Sequence, residues 1–145
     1  MIVFHGHMEV TPQKIDIPLQ TSQLSSVRRQ VERICDENGV PDLTTRRLVL
    51  AIDEALTNII VHGKVGPPPA DKVSLQICIE DDYVVAEFED RGIPFDPSLD
   101  PGGPDPKSFP CRGFGLYLIH LIADELEYER TEDGRNVFRM YKTLQ

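Results

Sequence analysis

A chain of 145 residues with 40% hydrophobic and 27% charged residues suits one globular domain with its own core. Its formal net charge of −9 argues against a protein that grips a phosphate backbone, so no direct nucleic-acid role is expected. No apolar run approaches the ~20 residues that cross a bilayer, which excludes a membrane span. The N-terminus, with its histidines and Glu9, does not resemble a secretory signal. Three widely spaced cysteines, Cys35, Cys78 and Cys111, fit neither a disulfide framework nor a zinc site. Reduced thiols in a cytoplasmic protein are the expectation.

Residues 1–13 read as a flexible tail, in which His5 and His7 would hold a metal only with further ligands. Lys14 to Leu19 alternates Ile15, Ile17 and Leu19 on one face, the period of a strand. From Ser22 to Asn38 the spacing turns helical, with Leu24, Val27, Val31 and Ile34 on the apolar side. Asn38-Gly39 is a stop signal. Asp42 or Thr44 then opens a long helix that Gly63 closes. Leu48, Ile52, Ala55 and Ile59 form its apolar stripe, and Val49, Leu56 and Ile60 widen it beyond what an open surface would allow. Beside that arc Glu54, Asn58 and His62 follow at i, i+4 and i+8, so a carboxylate, an amide and an imidazole point the same way.

Pro67-Pro68-Pro69 forces a loop. Lys72 to Glu80 and Tyr83 to Glu89 alternate cleanly about Asp81-Asp82, as an antiparallel pair would. Asp90-Arg91-Gly92 follows, and then a stretch to Pro110 with five prolines and two glycines from Pro97 on. Such a loop inside a compact domain is functional or disordered. Gly113-Phe114-Gly115-Leu116 opens a short helix, and Glu125–Arg130 with Arg135–Lys142 makes a closing hairpin. The element order β-α-α-β-β-loop-α-β-β argues for one α+β domain over residues 14–145, a two-layer α/β sandwich with a mixed, mostly antiparallel sheet covered by three helices.

Each candidate motif is ambiguous alone. Gly-x-Gly before a helix presents bare N–H groups to a phosphate, yet it is also a routine packing turn. Asp90-x-Gly92 could read a base amino group, or be a turn in which Asp caps its own backbone and Gly supplies a positive φ. Glu54 with Asn58 could be a solvated stripe.

Taken in order, these pieces resemble the N, G1 and G2 boxes of the GHKL ATPase superfamily (the Bergerat fold, or histidine-kinase-like ATPase domain). That superfamily holds the gyrase and chaperone ATPases, the sensor histidine kinases and the bacterial anti-sigma-factor serine kinases. Glu54-Ala-Leu-Thr-Asn58-Ile-Ile-Val-His62-Gly63, Asp90-Arg-Gly-Ile-Pro-Phe-Asp-Pro97 and Gly113-Phe-Gly-Leu-Tyr-Leu-Ile119 look most like the last group. The likeness runs from the first strand to the last.

The resemblance implies ATP and Mg²⁺ as cofactors. Asn58 would ligate Mg²⁺, and Glu54 would act as general base on the attacking hydroxyl. Asp90 would read the adenine amino group, with Gly92 beside the ring. Gly113, Phe114, Gly115 and Leu116 would form the phosphate turn. Residues 97–112 would be the ATP lid, bringing Lys107 and Arg112 to phosphate charge. His62 matches a frequent histidine of the kinase group, and a helix-end imidazole favoured by the dipole explains it equally.

Two departures stand out. Arg112 sits where many relatives have another glycine, and Asn136-Val137 replace a threonine often found near the adenine. The function so implied is a serine/threonine protein kinase that phosphorylates an antagonist protein and sequesters a sigma factor, in some relatives as a homodimer. An ATP-gated interaction module without catalysis, or the catalytic domain of a two-component histidine kinase, are the alternatives.

Overall fold

The computed structural model of the chain describes residues 12–62, 71–80, 82–99 and 114–144. Strand β1 spans Gln13–Pro18. After a single 3₁₀ turn at Thr21–Gln23 come helix α1, Leu24–Glu37, and helix α2, Asp42–His62. Strands β2, Lys72–Ile79, and β3, Tyr83–Asp90, form a hairpin. Helix α3, Phe114–Ile122, precedes β4, Glu125–Arg130, and β5, Asn136–Thr143. The sheet order is β1-β2-β3-β5-β4 and each pairing is antiparallel. Helices cover one face, giving the expected α+β sandwich. Its sheet goes further than the mixed arrangement anticipated, being antiparallel through all its described strands. No described helix is long and apolar enough to cross a membrane.

Local chemistry sets these boundaries. α1 buries Val27, Val31, Ile34 and Cys35. It stops where the Asn38 side-chain Nδ2 donates to the Ile34 carbonyl at 2.7 Å and Gly39 turns left-handed at φ 74°. The expected helix start at Ser22 falls in the 3₁₀ turn, so regular α-helix begins two residues later. Arg135 stays outside β5. Its N–H bonds Thr131 Oγ1 at 2.9 Å and its carbonyl accepts from Thr131 N at 2.9 Å, which closes the hairpin around Gly134 at φ 86°.

The core lies between the sheet and α1 and α2. Burial pushes the Cys35 thiol up to about 11, so it behaves as a small packed hydrophobe. On β3, Val84, Ala86 and Phe88 face the helices by the period of two, and each is fully buried. Phe88 pairs with Leu75 on β2 and Phe138 on β5, and the two phenyl rings stack 5.8 Å apart. The next residue on this face is Asp90, flanked by Val73 and Asn136. One step along the strand therefore carries the surface from apolar core to carboxylate.

Candidate functional site

α2 supplies one wall. Glu54 and Asn58 lie one turn apart on the side of α2 that α3 covers, as their i, i+4 spacing requires. Glu54 is half-buried, and desolvation, with a smaller push from neighbouring Asp53, raises its carboxyl above the usual glutamate value. Asn58 Nδ2 is buried with no hydrogen-bond partner among the described residues. A buried orphan donor costs about 1–3 kcal/mol, so it needs an acceptor that the described protein does not provide.

α3 closes over this wall through Gly115. A Cβ there would overlap Glu54 Oε2 and stand 3.4 Å from Glu54 Cδ. A methyl there must push the flexible end of Glu54 aside, because the start of α3 lies directly against the carboxylate. Leu116 beside it packs on the core. His120, in the second turn of α3, does not line the cleft but bonds through Nε2 to the Pro97 carbonyl at 2.9 Å, tying α3 to the segment after β3.

The sheet supplies the opposing wall. Asp90 Oδ1 accepts from Gly92 N at 2.9 Å and from Asn136 Nδ2 at 2.9 Å. The turn reading of Asp-x-Gly holds in its hydrogen bond but needs correction in its backbone. The positive φ angles of the described glycines belong to Gly39 and Gly134, so this turn closes without a left-handed Gly92. Asn136 Oδ1 accepts from Tyr128 Oη at 2.6 Å and from an Arg130 guanidinium nitrogen at 3.1 Å.

A cleft lined by Asn58, Ile59, Asp90, Phe95, Tyr128 and Asn136, among others, joins the two walls. It encloses about 20 Å³, room for about one water. A larger ligand enters only if rim side chains move, and Ile93, 54% exposed, stands at that rim. A wider groove of about 930 Å³ runs between α1 and α2 past Arg28, Arg33 and Arg46. None of Glu54, Asn58 or Asp90 lines it. The narrow cleft is the better candidate, because it alone combines an orphan amide, a fixed carboxylate and apolar walls.

The described residues thus bring Glu54, Asn58, Asp90, Gly92, Gly115 and Leu116 to one end of the sandwich. His62 ends α2 and Phe114 begins α3. Lys107, Arg112 and Gly113 lie outside the described residues, as does the 97–112 lid beyond Leu99. What the motifs missed is the clamp of Tyr128, Arg130 and Asn136. A signal existed: in Glu125–Arg130 the period of two sets Leu126, Tyr128 and Arg130 on the face opposite the glutamates.

The chain is a two-layer α+β sandwich with an acid and an amide on one helix, facing an acid at a strand end. The family model of the histidine kinase-like ATPase domain matches residues 17–142, and the chain belongs to that family. No curated protein matches it in sequence.

Among solved structures it is similar to the RsbU and RsbW domains of Rv1364c from Mycobacterium tuberculosis, with TM-score 0.66 and 18% identity over 91% of this chain. It spans 32% of that longer chain. It is also similar to a structure of the SiaB–SiaC complex from Pseudomonas aeruginosa, with TM-score 0.59 and 15% identity, covering 90% of this chain and 89% of that one. At such identities the likeness concerns the fold.

Proposed function

We propose that the chain is a cytoplasmic, Mg-ATP-binding regulatory protein kinase of the anti-sigma type, acting on serine or threonine of an antagonist protein and sequestering a sigma factor. The observation that carries this reading is the unpartnered Asn58 amide, one turn from Glu54 and in the same cleft as Asp90. In this reading 14–145 is one domain and 97–112 a lid, and the 1–13 tail gives up Gln13, which already pairs in β1.

The donor set suits magnesium. Among the described residues no three His, Cys, Asp or Glu side chains cluster to hold a metal. A cation here would therefore take Asn58 oxygen and complete its shell with phosphates and water, the habit of Mg²⁺ and not of zinc. An amide turned 180° exchanges its ends, so either end of Asn58 reaches the cleft. The bound ion would neutralise phosphate charge.

The other tasks fall to the chain itself. Asp90 accepts a hydrogen bond from the base amino group. Glu54 orients the attacking hydroxyl and takes its proton, a role helped by a carboxyl whose affinity for protons is raised. Gly113 and Gly115 offer backbone N–H groups to phosphate, with Lys107 and Arg112 closing from the lid. A protein partner is in keeping with a fold neighbour described as a complex of SiaB with SiaC.

The test is Glu54→Gln, with nucleotide affinity and phosphoryl transfer to a cognate partner, or release to water, measured separately. ATP affinity should stay within about threefold while turnover falls ~10²–10⁴-fold. Full activity in that variant would remove Glu54 as base. A second reading, an ATP-gated interaction module without transfer, is favoured by the tight cleft, whose rim must open for a nucleotide. It predicts ATP binding with no turnover in either protein.

A further inference from the structure

Asn136 is 4% exposed, and its polar atoms are all engaged. Its Oδ1 takes the Tyr128 hydroxyl at 2.6 Å and Arg130 at 3.1 Å, two donors that fix which end of the amide is oxygen. Nδ2 must then face the other way, where it donates to Asp90 Oδ1 at 2.9 Å and to the Gly92 carbonyl at 3.2 Å. Two lone pairs and two N–H bonds exhaust an amide. Asn136 lines the cleft, yet its hydrogen-bonding groups are taken up by the protein itself.

The clamp also holds the loop beside the base-reading carboxylate. Arg130 donates to the Gly92 carbonyl at 3.0 Å, so Gly92 is pinned by β4 and β5 together. Asp90 receives both its donors on Oδ1, from Gly92 N and Asn136. Among the described residues no donor reaches its other oxygen, and Asp90 lines the cleft with the carboxyl plane set by its neighbours.

We propose that Asn136 is a positioning residue for purine selectivity, acting through Asp90. By holding Oδ1 it turns Oδ2 into a fixed acceptor, which pairs with a 6-amino group and meets a 6-oxo group as acceptor against acceptor. A site built to accept from an amino group discriminates strongly against an analogue that lacks it. This rests on the nucleotide reading above and adds to it which residue enforces the choice of base.

The experiment compares ATP with inosine triphosphate, which differs at that 6-substituent, by calorimetry on the full chain with magnesium. Wild type should prefer ATP by at least about tenfold. Asn136→Thr keeps a hydroxyl donor for Asp90, and Asn136→Val fills similar space without one. The ATP preference should survive within about threefold in N136T and fall about tenfold or more in N136V. The ratio is internal to each variant, so a loss of stability alone does not move it, and a melt checks that each folds.

If N136V will not fold, Tyr128→Phe, which removes one of the two donors orienting the amide, should lower the ratio in the same direction. A ratio unchanged in N136V or, failing that, in Y128F, or equal affinities in wild type, overturns the role of Asn136 alone. Failure of wild type to bind either nucleotide overturns the nucleotide reading and this proposal with it.

Discussion

Two ends of one sheet face differ in how completely they are finished. Around Phe88 the side chains of β2, β3 and β5 meet those of α2 and are fully buried, and the stacked Phe88 and Phe138 rings have no polar atom to satisfy. One residue pair further along, the same strands present Asp90 and Asn136 to an α2 wall with an orphan amide and a proton-hungry glutamate. The first region closes on itself; the second is left wanting a partner. Natural cores leave few such orphans, and the Asn58 amide beside Asp90 marks where a ligand would supply what the described protein withholds.

That contrast breaks most violently at the closed end. Phe88→Ala should cost about 3–5 kcal/mol of stability by leaving a cavity, visible as a lowered denaturant midpoint. A nearly unchanged midpoint would mean this end is not the stabilising one.

At the open end the prediction reverses. Gly115→Ala improves helix propensity by about 1 kcal/mol, yet its methyl displaces the flexible end of Glu54. Stability should hold or rise while turnover drops about 10²-fold, the scale of a misplaced catalytic group. A loss of stability matching the loss of turnover would contradict a catalytic reason for that glycine.

The smallest effect sharpens the comparison through pH. The Glu54 carboxyl is raised in the fold, chiefly by burial. Its contribution to stability is thus full below the unfolded glutamate value, about 4.3, and is lost as pH rises through the raised value. Glu54→Gln should therefore melt slightly above wild type near neutral pH, with the gap closing toward about pH 4. A gap of opposite sign would mean that ionised Glu54 is stabilised by something unseen.

Much of this was legible in the chain. The periods of 3.6 and 2 placed α2, the β2–β3 hairpin and β4 within a residue or two, because amphipathic burial writes itself into spacing. The i, i+4 relation of Glu54 and Asn58 fixed their common side. What spacing could not carry is contact between distant segments. That β5 lies between β3 and β4, setting Asn136 against Asp90, depends on strand order, which no local pattern encodes. The close approach of Gly115 to the Glu54 carboxylate depends likewise on how α3 docks on α2. Asn136 read as a missing threonine, whereas its geometry makes it the hub of a clamp.

The central claim is that α2, the end of β3 and the start of α3 surround one nucleotide. Titrating the ¹⁵N-labelled chain with ATP and magnesium tests it most directly. The account predicts that the Asn58 side-chain amide and the Gly92 and Gly115 backbone amides shift together and saturate at one dissociation constant. Shifts confined to the arginine-lined groove between α1 and α2, or no shifts at all, would contradict it.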